Sequence, residues 1–164
     1  MTATENVAPA LRSVDYLPYY DIAAAAGGFD LPRKLEDCDC NGWLYLPDDR
    51  LSSNMFIIRI EGESMTPLIP HGSLAIFRGG SALGSSRQGR IVLVMSNNFS
   101  DPETGWNLVV KKYESKKIAL QDDSFAHKRI TLHSINPTYD PIIIEHASEH
   151  EYQVLGEFVK IIPA

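Results

Sequence analysis

From Met55 to the C-terminus the chain is a succession of short runs of β-branched and aromatic residues, each closed by turn formers, and this confines it to a few β architectures. Phe56-Ile-Ile-Arg-Ile60, Ser73-Leu-Ala-Ile-Phe77 and Arg90-Ile-Val-Leu-Val-Met95 read as strands, as do residues 108–110, 117–120, 129–132, 141–145 and 152–162. His71-Gly72, Gly79-Gly80, Gly89, Asp101 to Gly105 and Asn136-Pro137 punctuate them. No long stretch carries a helical period. The expectation is a mainly β fold of short, mostly antiparallel strands, with a short helix just after Ser64, where Pro67 suits a first helical turn. A length of 164 residues is enough for one domain with a real core.

Residues 1–17 show no sustained period and read as a flexible arm. The segment from Tyr16 to Phe29 starts with aromatic residues, passes through four alanines (Ala23 to Ala26) and ends on Gly27-Gly28. The alanines favour helix, but Pro18 before them and the glycines after them leave little length for one, so an extended segment that bends at the glycines is equally open. A net charge of −6 argues against direct nucleic-acid binding, which normally shows as a clustered basic excess. No apolar run has the length of a membrane span, and the first residues lack the pattern of a secretory signal, so the expected location is the cytoplasm. Cys38 and Cys40 form a lone C-x-C without the further Cys or His pair a zinc site needs. Both are expected to be ordinary thiols, with no metal and no cofactor.

Two stretches carry residues capable of chemistry. In Gly62-Glu63-Ser64-Met65-Thr66-Pro67, a strand gives way to a tight turn and a serine follows at once. Backbone N–H groups at such a turn can hold a developing oxyanion, although a serine there can equally serve as a helix cap. In Leu108-Val-Val-Lys111-Lys112-Tyr113, strand alternation sends the two lysines to opposite faces, Lys111 with Val109 and Lys112 with Leu108 and Val110. One lysine is therefore a candidate for burial and the other for solvent.

Taken together these stretches resemble the LexA/UmuD family of Ser–Lys peptidases. Gly62-Glu-Ser64-Met65 followed by Pro70-His-Gly-Ser-Leu-Ala-Ile-Phe77 is similar to the family's nucleophile box, and Val109-Val-Lys111-Lys-Tyr113 to the strand bearing its general base. Leu120, Asn136-Pro-Thr-Tyr-Asp-Pro-Ile-Ile-Ile144 and Gly156-Glu-Phe-Val159 resemble the later boxes, in the same order. The chain has His71-Gly-Ser73 where the family commonly has Asp-Gly-Asp, a difference that bears on turn geometry. Its longer interval between serine and lysine is accounted for by an extended hairpin loop from Asn97 to Trp106. Nothing upstream resembles a helix-turn-helix, which makes the chain UmuD-like.

The resemblance implies Ser64 as nucleophile, Lys111 as general base, and the backbone N–H groups of Ser64 and Glu63 as oxyanion donors. A lysine can act as base only when neutral, and burial can lower its pKa by up to about 3–5 from the usual 10.4. The implied substrate is the chain's own Ala26–Gly27 bond, small residues suiting a segment that must bend into a narrow cleft. The division expected is an arm over residues 1–17, a cleavage-site segment and linker over 18–40, and the peptidase domain over 41–164. A homodimer is expected through an exposed edge strand near the C-terminus. A RecA-type filament is the implied trigger, and a polymerase, helicase or defence protein the implied partner. The setting would be a DNA-damage, phage-defence or mobile-element response. The competing readings are a dimerising interaction module on the same fold with little proteolysis, and a peptidase that acts on another protein.

Overall fold

The computed structural model describes residues 2–22, 31–80, 87–96, 99–101, 104–119, 126–145 and 152–163. The fold is mainly β, as expected. In chain order the described strands are β1 (Tyr16–Tyr20), β2 (Gly42–Tyr45), β3 (Met55–Arg59), β4 (Leu74–Arg78), β5 (Ile91–Met95), β6 (Leu108–Ala119), β7 (Ala126–His133), β8 (Ile142–Ile144) and β9 (Gln153–Ile161), with one short helix, α1 (Leu31–Asp37), between β1 and β2. They form one sheet in the order β2-β1-β3-β4-β9-β5-β6-β7-β8. Among these nine strands only β1 with β3 pairs in parallel.

The central position of β9 shapes the molecule. It pairs with β4 on one side and β5 on the other, and a register shift interrupts each pairing, at Ile76/Phe77 and at Leu93/Val94. Such irregularities bend strands and increase twist. Gly156, paired with Leu93, lies at the bend, where an added Cβ would be 3.0 Å from the Phe56 ring and 3.1 Å from the Phe77 Cβ. Phe56, Phe77 and Phe158 pack there in a stacked and an edge-on contact. In a flat sheet β3 and β6, four spacings apart, would be separated by about 19 Å. Instead Lys111 of β6 reaches Ser64, just past β3, and residues of both strands share an apolar cluster that includes Tyr20, Leu31, Met65, Ile69 and Leu93.

Several expectations change in the structure. The residues expected as a flexible arm lie against the sheet: Thr4 and Trp43 exchange backbone hydrogen bonds of 2.9 Å, Val7 is buried, and Leu17 is fully enclosed. The boundary drawn after residue 17 falls inside β1. A segment without periodicity can still be ordered when a neighbouring strand offers free backbone groups to it. The run read at 108–110 and the described part of the run read at 117–120 are one strand, because Lys112 to Lys117 pair residue by residue with β7. The edge strand nearest the C-terminus is β8, with Ile143 55% exposed, while β9 is interior. Finally, no helix follows Ser64. Residues 63–69 form successive turns, held by Thr66 N–H to the Glu63 carbonyl (3.1 Å) and Ile69 N–H to the Met65 carbonyl (2.8 Å). Pro67 and Pro70 offer no N–H, and each disfavours the helical region for the residue before it. The helix is α1, which brings the chain back to the core at Leu31. The alanine–glycine segment, Ala26 and Gly27 included, lies outside the described residues.

Candidate active site

Ser64 sits in the connection from β3 to β4, and that connection is tied at both ends. Ile60 N–H donates to the Ser73 carbonyl (2.8 Å) and Gly72 N–H to the Ile60 carbonyl (2.7 Å), closing the neck of the loop. Gly62 adopts φ +91, a left-handed conformation that L side chains rarely take. Its N–H donates to His71 Nδ1 at 2.9 Å. The imidazole thus acts as an acceptor at a position where the resembled family commonly has a carboxylate. Below the serine, Met65 and Ile69 are buried in the main apolar cluster. The turn is therefore anchored from beneath while the serine hydroxyl stays at its edge.

Lys111 comes from β6, where the alternation read from sequence is realised: Lys111 is 4% exposed, and Lys112, on the other face, is exposed. Val92 is its partner across β5, and Val109 precedes it on the same face. Lys111 Nζ and Ser64 Oγ are 2.5 Å apart and hydrogen-bonded, although 47 residues separate them in sequence. Ser64 is itself 8% exposed. A heavy-atom distance of this kind suits either polarity: an ammonium donating to the hydroxyl, or the hydroxyl donating to a neutral amine. Enclosure of the amine disfavours its charged form, and the second polarity is the one base catalysis needs.

A cleft of about 450 Å³, counted out to open solvent, lies along the serine. Its floor and walls are largely apolar, from Met65, Leu93, Leu108 and Val110, and its rim carries Trp106 with Asp101 and Thr104. Those three come from the loop read as an insertion between β5 and β6, which is a hairpin closed by Asp101 N–H to the Trp106 carbonyl (2.6 Å) and Gly105 N–H to the Asp101 carbonyl (2.7 Å). Ile22, two residues past β1, also lines the cleft. A serine hydroxyl hydrogen-bonded to a sequestered amine, beside a largely apolar cleft, is chemically capable of acting as a nucleophile with its base.

A protein-family model described as Peptidase S24-like matches residues 18–159. The chain belongs to that family. No curated protein matches it. Membership gives this S24-type chain a serine-peptidase-like fold, in agreement with the LexA/UmuD resemblance read from its motifs.

One residue of this S24-family site escaped the sequence reading as a functional group. Asn136, in the connection from β7 to β8, reaches across to the turn that carries Ser64. Its backbone N–H donates to the Ser64 carbonyl (2.9 Å), and its Nδ2 donates to the Glu63 carbonyl and to Thr66 Oγ1 (both 3.2 Å). Its Oδ1 in turn accepts from Thr138 N–H at 3.1 Å. The available signals were an Asn-Pro pair, which is sufficiently explained as a turn, and its place at the head of a segment resembling a later family box, neither of which gives the side chain a role. Among the described residues no group of three or more His, Cys, Asp and Glu could hold a metal, and Cys38 and Cys40 are free thiols. No helix among them is long and apolar enough to cross a membrane.

Proposed function

We propose that the chain is a serine endopeptidase with a Ser64–Lys111 dyad that cuts its own Ala26–Gly27 bond. The observation that carries this reading is the 2.5 Å contact between Nζ and Oγ, with both groups enclosed. The cleft supports the choice of substrate. Ile22 lines it beside Ser64, and Ala26 follows four residues later, a reach of at most about 14 Å along the chain.

Neutral Lys111 takes the Ser64 proton as Oγ attacks the Ala26 carbonyl carbon. The backbone N–H groups of Ser64 and Glu63 are the proposed donors to the resulting oxyanion. The C–N bond then breaks, the proton on Lys111 passes to the departing Gly27 nitrogen, and Ala26 remains as an ester on Ser64. A water molecule attacks that ester, giving its proton to Lys111. Collapse frees the Ala26 carboxyl group and returns the proton to Ser64. The setting proposed is regulatory, in a DNA-damage, phage-defence or mobile-element response, with a homodimer and a RecA-type filament as expected partners. The place of β8 at the end of the sheet among the described residues, with Ile143 exposed, favours the second reading, a dimerising module.

Intact mass after incubation at pH about 9–10, which populates the neutral amine, tests the reading. The expected products are Met1–Ala26 and Gly27–Ala164. Ser64→Ala and Lys111→Ala should each abolish them, and Lys112→Ala should largely spare them. An uncut wild-type chain, or cutting that persists without the Lys111 amine, would defeat the proposal.

A further inference from the structure

We infer that cutting at Ala26–Gly27 leaves residues 1–26 in place as a built-in strand, so that the product is a nicked two-piece protein and not a shortened one. The inference rests on the cleavage reading above for its biological occurrence, but its physical basis is the position of β1.

β1 is an interior strand. It pairs with β2 through Tyr16↔Tyr45, Leu17↔Leu44, Pro18↔Trp43 and Tyr19↔Gly42, and with β3 through Tyr19↔Ile57 and Tyr20↔Ile58. Flanking residues extend the attachment: Asn41 N–H donates to the Tyr19 carbonyl (2.8 Å), Asp21 N–H to Asn41 Oδ1 (2.9 Å) and Leu46 N–H to the Asp15 carbonyl (2.6 Å). Further upstream, Ala3 packs so close to Gly42 that a Cβ there would be 2.8 Å from its own. The Arg12 guanidinium lies 4.8 Å over the Trp43 ring.

Departure of residues 1–26 would do more than vacate a surface. Among the described residues β2 joins the sheet through β1 alone, so it would lose its neighbouring strand at the same time. Leu44 and Ile57, which share an apolar cluster with Leu17 and Tyr19, would be opened to water. The backbone groups of β2 and of one edge of β3 would lose their partners together, an outcome folded proteins avoid. Breaking the tether removes none of these contacts. The changes available to a partner are then the two new chain ends, the Ala26 carboxylate and the Gly27 ammonium, and the freed lead into α1, with no unmasked sheet edge.

Two samples decide the matter independently of each other. The first is the wild-type chain after alkaline incubation. The second is Ser64→Ala carrying a recognition sequence for an outside protease within residues 23–30 and cut to completion. Each is run under denaturing conditions and by native mass spectrometry with size exclusion. The expected result is two pieces when denatured and one native species containing both. A native species made of residues 27–164 without the first piece, in the outside-cut sample, overturns the inference whether or not the wild type cuts itself. An uncut wild type with a retained fragment in the outside-cut sample would remove the peptidase reading and leave this one standing. Leu17→Ala in the outside-cut chain should raise the dissociation constant of the first piece on the order of a hundredfold. An unchanged constant would show that β1 packing does not hold it.

Discussion

Replacing Asn136 separates positioning of the nucleophile from stability of the fold. Asn136→Ala keeps the backbone N–H that donates to the Ser64 carbonyl but removes the two Nδ2 bonds to the Glu63 carbonyl and Thr66 Oγ1 and the Oδ1 acceptor of Thr138 N–H. A typical bond of this kind contributes about 0.5–1.5 kcal/mol net. The sites are partly open to water, which can replace the amide, so the expected stability loss is about 1–2 kcal/mol for the three bonds together. The effect on rate is larger, because a displacement of roughly 1 Å in a reacting group can cost about 10²-fold. The first-order rate of self-cleavage should therefore fall by about 10- to 100-fold while the denaturant midpoint moves little. Asn136→Asp keeps an acceptor for Thr138 N–H but has no donor, and it turns a carboxylate toward the Glu63 carbonyl. It should fall at least as far. In both variants the pH–rate profile should keep its midpoint, since the enclosure of Lys111 is untouched, and lose plateau height. A wild-type plateau in Asn136→Ala would refute the argument, and a moved midpoint with an intact plateau would place its action on the lysine.

Two further predictions concern the frame of the site. Burial pushes the Tyr20 phenol well above the usual tyrosine range, and the neighbouring Cys38 and Cys40 push in the same direction. Because the folded value exceeds the unfolded value of about 10, this contribution is complete below pH about 10 and declines above it, as the unfolded chain ionises first. Wild type should lose up to about 1.4 kcal/mol per pH unit there relative to Tyr20→Phe, read from urea midpoints; parallel curves would contradict this. At Gly79 an added Cβ would sit 2.9 Å from the Leu155 carbonyl oxygen and 3.4 Å from the Phe56 ring. Gly79→Ala should destabilise by about 1–3 kcal/mol, and an unchanged melting temperature would show that β9 can yield at that point.

The sequence alone determined what depends on near neighbours. Alternation along Val109-Val110-Lys111-Lys112 sends the two lysines to opposite faces, since successive strand residues must face opposite ways, and the resemblance to the family points to Lys111 as the inward one. The β-branched runs and their turns define most of the strands, and the spacing of the motif boxes points to the family. Only the tertiary structure decided what depends on strands distant in sequence. Polar Lys112 to Lys117 continue as strand because β7 supplies their hydrogen bonds. The first residues join the sheet because β2 and β3 leave a place between them for β1. Asn136 becomes a clamp on the turn that carries Ser64 only once β7 and β8 carry it there. The closure of 47 residues into a 2.5 Å contact requires the bend at β9. Local preference acts over a few residues, whereas that bend is set by side chains from separate strands packing around a single glycine.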